Sequence, residues 1–273
     1  INFAAGMAAT GKKVYIYFMA CWVARCFEQI RYSCAMAKNP ITILGNGVAL
    51  GYAPAGPAHE PTEDLAYMRT LCGIEICSPA NNEVTKNLVD LTCEDPKLRY
   101  IRLERKYPVK LDDVYKEFRP LTKNSLYAGL FSTKLRIPET LETRQTGNKK
   151  ICILSSGYML GRAFDVGEKF SSLGYETCII DLWRIKPIRA SIFVPSVSSY
   201  DLLVTLEEQT LSGGLGSAVS EMVMDEVINK EVLRIGLPEG YIFDNGDREH
   251  LLNKNGLSVE SIVEKIRARL PEQ

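Results

Sequence analysis

One of the chain's two histidines sits where it could do chemistry. His59 lies in the stretch Gly56-Pro57-Ala58-His59-Glu60-Pro61. Gly45, Gly47, Gly51 and Pro54 precede it and forbid regular structure between Ile43 and Ala58. Thr62 to Arg69 follows and reads as a helix, with Glu63 and Asp64 in its first turn. An imidazole held just before a helix start, after glycines that let backbone approach a ligand, could donate or accept a proton near neutral pH. A surface histidine in an ordinary strand-to-helix connection fits equally well, and the loop alone leaves both readings open. Three other features could carry chemistry. The pair Glu207-Glu208 ends a strand but has no histidine near it in sequence, so it reads as structural or interfacial. Gly213-Gly214-Leu215-Gly216 opens a helix and could cradle a phosphate. It matches neither the dinucleotide nor the P-loop fingerprint, so tight strand–helix packing is expected. His250, among Asp247, Arg248 and Glu249, reads as surface.

These groups must be held by strands and helices that alternate. Lys12 to Met19 reads as a buried strand and Trp22 to Lys38 as a helix, with Val23, Phe27, Ile30 and Cys34 at helical spacing until Pro40 ends it. Ile41–Leu44, Ile74–Cys77 and Leu98–Leu103 are further strands, and Ser78-Pro79 opens a helix with Val84, Leu88 and Leu91 on one face. The proline- and charge-rich stretch from Lys106 to Asn148 breaks the rhythm and reads as a linker, long by ordinary loop standards. A second unit follows. It has strands at Lys150–Leu154, Thr177–Leu182, Asp201–Leu206 and Glu231–Ile235, and helices to Leu173, over Ser217–Asn229 and over Ser258–Leu270. The fold class is α/β, with parallel sheets.

Composition sets bounds. The chain has 273 residues, enough for two ordinary domains, and its 33 basic and 33 acidic residues balance. Nothing points to nucleic acid or a membrane surface. The eight cysteines are scattered without a Cys-x-x-Cys pair, so they read as reduced core residues of a cytoplasmic protein rather than zinc ligands. The chain opens at Ile1, inside what looks like an apolar helix without its cap, so residues upstream are expected.

Four stretches, in order, resemble the pyrimidine-binding and C-terminal domains of transketolase-like thiamine diphosphate enzymes, the group that includes transketolase, 1-deoxyxylulose-5-phosphate synthase and the β subunits of 2-oxo acid dehydrogenases. Phe3-Ala4-Ala5-Gly6-Met7-Ala8 resembles the helix after the family's catalytic glutamate. Arg25-Cys26-Phe27-Glu28-Gln29-Ile30-Arg31 resembles "RAFDQIR". Gly56–Pro61 with Glu63-Asp64 resembles "GPTHxPxED". Thr205–Glu208 with Gly213–Glu221 resembles "vEEhxxxGGlGsavaE". The resemblance implies two three-layer α/β/α domains: a pyrimidine-binding domain over 1–108, a linker over 109–148 and a C-terminal domain over 149–273. It implies that Trp22 stacks on the cofactor's aminopyrimidine, with Met19 beside it and Arg25 one turn on, where a flat indole face is worth about 1 kcal/mol beyond area burial. It implies that His59 is catalytic, donating to the oxygen that gains charge on the substrate. Arg105 would bind a substrate phosphate, against the plainer reading of a solvated charge between Glu104 and Lys106.

Departures from the family pattern carry their own expectations. The family's activating glutamate would fall just before Ile1. The "GDG…N" motif that holds Mg²⁺ and the diphosphate belongs to another domain, so no metal ligand is expected on this chain and a partner subunit is expected to supply both. Ala55 stands where transketolase has an aspartate that contacts a substrate hydroxyl, and Asn46-Gly47-Val48 stand where a basic phosphate ligand is usual. The substrate's phosphorylation is therefore open. The function implied is one subunit of a split transketolase-like enzyme, assembling as α2β2 and transferring a two-carbon ketol or acyl unit from a ketose or 2-oxo acid. The alternatives are a 1-deoxyxylulose-5-phosphate synthase-like or 2-oxo acid decarboxylating enzyme, or a non-catalytic scaffold.

Overall fold

The computed structural model describes residues 1–108, 129–132 and 150–270. Two five-stranded sheets carry the chain. The first contains β1 (Val14–Met19), β2 (Ile41–Asn46), β4 (Arg99–Leu103) and β3 (Glu75–Cys77), in that spatial order and all parallel. The second contains β10 (Glu231–Leu237), β9 (Leu202–Thr210), β6 (Ile151–Ser155) and β7 (Thr177–Asp181), also parallel. Each sheet ends in one antiparallel strand. These are β8 (Arg184–Lys186) beside β3 in the first sheet and β5 (Gly129–Ser132) beside β7 in the second. Central strands such as β6 and β7 are buried throughout, as parallel strands covered on both faces must be.

Several expectations need correction. β1 is an edge strand, not a buried one: Tyr15 and Tyr17 face outward and only alternate residues are covered. The Trp22–Lys38 segment is not a regular α-helix. It runs as 3₁₀ turns over Ala20–Cys26, one α turn at Phe27–Gln29 and a π-helical stretch over Ile30–Met36, and still buries Val23, Ile30 and Cys34. The linker expected over 109–148 lies outside the described residues except for β5, which is part of a sheet. Helices at Ala190–Val197 and Arg248–Lys254 escaped the sequence reading. All eight cysteines are free, but only Cys34, Cys77, Cys152 and Cys178 are buried; Cys72, in the turn before β3, and Cys93, near the end of the Asn82–Glu94 helix, are exposed.

β8 is the least expected element. It follows β7 directly, yet it pairs with β3 in the other sheet, with Ile76 opposite Lys186. Trp183, fully buried, precedes it and its carbonyl accepts from the Ser78 amide at 2.7 Å. The Arg184 guanidinium lies 4.5 Å from the Trp183 ring centre and 3.0 Å from Glu75. Arg99 also bonds Glu75, and Lys97 stands 3.8 Å away. A buried carboxylate is thus surrounded by three cations and joins the two domains.

Candidate active site

In parallel α/β sheets ligands gather beyond the carboxyl ends of the strands. The register of the first sheet shows which residues stand there. Met19 on β1 pairs with Asn46 on β2, and Asn46 with Leu103 on β4. Trp22 follows β1 in the 3₁₀ turns, His59 follows β2 and Arg105 follows β4. Met19, Trp22 and Arg105 therefore stand at or just past the carboxyl ends of β1 and β4, and His59 lies in the loop that leaves β2. Trp22 is 52% exposed, so it is not a core tryptophan, and its ring is open to a flat partner. Arg25, in the same turns, is exposed, and Met19 is half-buried. These turns pack against β2 and the Asp64–Arg69 helix, the elements that flank the His59 loop in sequence.

The His59 loop is built by its prolines and glycines. Ala53–Ala55 and Pro57–His59 form two short 3₁₀ turns, hinged at Gly56 with φ 77°. His59 is half-buried, and its Nδ1 is buried without a hydrogen bond among the described residues. An unpartnered buried nitrogen costs free energy that a folded protein normally recovers, so the atom is suited to a partner brought from outside. Glu60, next to it, is buried and its Oε1 also lacks a partner among the described residues. Burial, with the nearby Glu208 charge adding to it, pushes the Glu60 carboxyl up to about 7.

Two sets of contacts clamp this loop from below. Asp64, the first helical residue after the loop, is buried and accepts from Arg102 Nε at 2.8 Å, Arg102 Nη2 at 3.1 Å and the Tyr100 hydroxyl at 2.8 Å. This bidentate pair ties the loop's helix to β4. The C-terminal domain adds the second set. The Thr210 amide donates to the Thr62 carbonyl at 3.0 Å, and Gln209 Nε2 donates to the Pro61 carbonyl at 3.3 Å. Arg248 bridges Glu104 at 2.8 Å and Glu208 at 2.7 Å, with its guanidinium carbon 3.6 Å from the centre of the Tyr158 ring. A cavity of about 10 Å³, room for roughly one water, lies among Arg102, Glu104, Glu207 and Glu208. Sequence reasoning read Glu207-Glu208 as structural or interfacial; they sit at the contact between the domains. The buried pairings of Arg248, Asp64 and Arg102 it missed, although two arginines inside the strand Leu98–Leu103 could have prompted a search for buried partners.

The glycine-rich turn is filled from within the chain. Glu207 accepts from the Leu215 and Gly216 amides at 2.6 and 2.8 Å, which takes the helix N-terminus a phosphate would need. A Cβ on Gly214 would stand 2.1 Å from the Glu207 carboxylate, so glycine is required there for packing. Burial raises the Glu207 carboxyl to about 7 even though both amides favour its charged form. Asp247 caps the Arg248–Lys254 helix by accepting from the His250 amide at 2.8 Å, and His250 is exposed as expected.

Two family models cover most of the chain: the transketolase pyrimidine-binding domain over residues 1–108 and the transketolase C-terminal domain over 140–262. The chain belongs to the transketolase family. A 1-deoxy-D-xylulose-5-phosphate synthase from Caldanaerobacter subterraneus is 27% identical over 99% of this chain and 40% of its own length. One from Buchnera aphidicola is 29% identical over 99% of this chain and 42% of its length. The chain thus spans well under half the length of these relatives. One of the subunits of an apulose-4-phosphate transketolase from Phocaeicola vulgatus is 27% identical over 96% of this chain and 78% of its own. Among solved structures, a split-gene transketolase in the form of an inactive β4 tetramer matches 97% of this chain and 78% of its own, with a TM-score of 0.76 and 27% identity. A Pichia stipitis transketolase shares the fold at TM-score 0.67 over 33% of its length.

Proposed function

We propose that the chain is one subunit of a thiamine diphosphate-dependent transketolase-like enzyme and is active only with a second polypeptide. The unpartnered Nδ1 of His59, buried at the carboxyl edge of the parallel sheet in a transketolase-family chain, carries this reading. The cofactor would supply a nucleophilic carbon able to carry a two-carbon or acyl fragment between substrates. The residues present fit its pyrimidine end. Trp22 offers an open indole face, with Met19 and Arg25 in the turns beside it. His59 would donate to the substrate oxygen that gains negative charge, and the clamp from Asp64–Arg102 and Thr210 keeps that donor fixed before the reaction starts. Arg105 would hold an anionic end of the substrate.

Mg²⁺ and the diphosphate are assigned to the partner. The chain's Gly-Asp pair, Gly246-Asp247, uses its carboxylate as a helix cap rather than as a metal ligand. Two relatives of matching length support a split enzyme: the apulose-4-phosphate transketolase subunit and the split-gene transketolase whose β4 tetramer is inactive. An α2β2 assembly would fit that organisation. The decisive experiment is to purify this chain alone and together with the product of an adjacent gene. Donor-dependent turnover is expected only in the mixture, with both chains co-eluting at heterotetramer size. Tight, Mg²⁺-dependent cofactor binding by the lone chain would overturn the reading. A synthase-like activity, as in the longer relatives, would instead show CO₂ release from a 2-oxo acid donor.

A further inference from the structure

Tyr52 was no part of the sequence reading, yet the loop after β2 is wrapped around it. Its hydroxyl accepts from Asn46 Nδ2 at 2.8 Å. Its ring lies against Gly47, where φ is 70° and a Cβ would come within 1.9 Å of the ring, so the residue before the loop has been cut back to backbone to seat it. The other contact is with Arg105, whose guanidinium carbon lies 5.0 Å from the ring centre. Among the described residues Arg105 forms no ion pair or hydrogen bond, and it is exposed. Its guanidinium is therefore held on an aromatic face, with its five N–H donors unengaged among the described residues. Asn46, which anchors the ring tip, pairs in register with Met19 on one side and Leu103 on the other. Arg105, Tyr52, Asn46 and Met19 form a continuous row along the carboxyl edge of the sheet, from β4 to β1.

We propose that Tyr52, anchored by Asn46, is a positioning residue that fixes Arg105 as the grip for an anionic substrate terminus, a phosphate monoester or a carboxylate. This rests on the reading of Arg105 as substrate-binding. The row explains how a chain with Asn46, Gly47 and Val48 in place of a basic ligand can still select an anion: a single guanidinium, held flat on a ring, keeps a planar fork presented to the ligand. Without the ring, the same arginine would sample many rotamers and bind more weakly.

The test is arginine side-chain NMR on the full chain. Loss of one Nε–Hε signal in Arg105→Lys assigns Arg105. In the wild type that signal should be displaced by the Tyr52 ring current, and it should shift further on titration with inorganic phosphate, acetate or both. A response to phosphate alone names a phosphate monoester; a response to acetate as well extends the site to carboxylates. Tyr52→Phe keeps the ring face and should hold phosphate affinity within about twofold, whereas Tyr52→Leu should weaken it about two- to fivefold. If Tyr52→Leu does not fold, Asn46→Ala serves: like Tyr52→Phe it leaves the ring but frees its tip, so it should reduce the ring-current displacement while changing phosphate affinity by no more than about twofold. No ring-current displacement in the wild type, no response to either anion, unchanged affinity in Tyr52→Leu, or an unchanged displacement in Asn46→Ala would overturn the proposal. Because no turnover is measured, an inactive mixture of subunits would count against the split-enzyme reading and leave this result standing, and the reverse also holds.

Discussion

The Thr210 amide hydrogen-bonds the Thr62 carbonyl, three residues past His59, at 3.0 Å. A strand end of the C-terminal domain thus holds the backbone of the loop that carries the proposed catalytic histidine. That domain contributes to the proposed site by fixing the loop.

His59→Ala should therefore lower turnover far more than cofactor affinity. A donor aimed at a developing oxyanion acts mainly in the transition state, and its loss costs about 2.7–4 kcal/mol. Steady-state kinetics of the assembled enzyme check this. A kcat within about threefold of wild type, well under 1 kcal/mol on this scale, would remove His59 from the chemistry.

Trp22→Ala should weaken thiamine diphosphate binding in the assembled enzyme by about 1 kcal/mol or more, several-fold in affinity, while the fold survives because the ring is half exposed. Calorimetric titration reads the affinity directly, and an unchanged value in a folded variant counts against stacking.

The carboxyls of Glu60 and Glu207 both sit at about 7, above their ordinary value. Between that ordinary value and 7 the folded chain binds more protons than the unfolded chain. Stability contributed by these groups is therefore greatest at low pH and is lost as pH rises through 7. Glu60→Gln cannot ionise, so it should gain stability relative to wild type as pH rises from about 5 to 8. Parallel melting curves over that range decide the matter; a constant difference between the two proteins would contradict it.

Glu75→Gln should destabilise the chain by about 3–5 kcal/mol, because it removes the buried carboxylate charge that Arg99 and Arg184 both contact. Chemical denaturation monitored by Trp183 fluorescence gives the measurement. A loss under about 1 kcal/mol would mean that Asp95 and water compensate, and that the cluster is not what joins the domains.

What could be read in advance followed period and punctuation. The alternation of short apolar strands with helical patterns announced two parallel sheets, and the glycines and prolines around His59 announced a loop that had to be something other than regular structure. Both signals are local. β8 was not legible because three residues are too few to show a period and because its partner strand lies far back in the chain. Tyr52 was hidden for a related reason: its role lies in contacts with Asn46, Gly47 and Arg105, and nothing in its own neighbourhood marks it. The irregular winding of residues 20–36 was hidden too, since Val23, Ile30 and Cys34 reach the core from 3₁₀ and π turns as they would from an α-helix.

The loan of β8 to the first sheet limits how such a gene can be divided. A cut after β4 would leave β3 as a bare edge and Glu75 with fewer cations, while the downstream fragment would lose the strand that covers Trp183 and the Glu75 contact of Arg184. Neither piece could complete itself. A cut before β1 would break no such pairing, because β1 is already an edge. The two domains are separate by homology and inseparable by folding, so over evolution they would be expected to travel as one inherited unit.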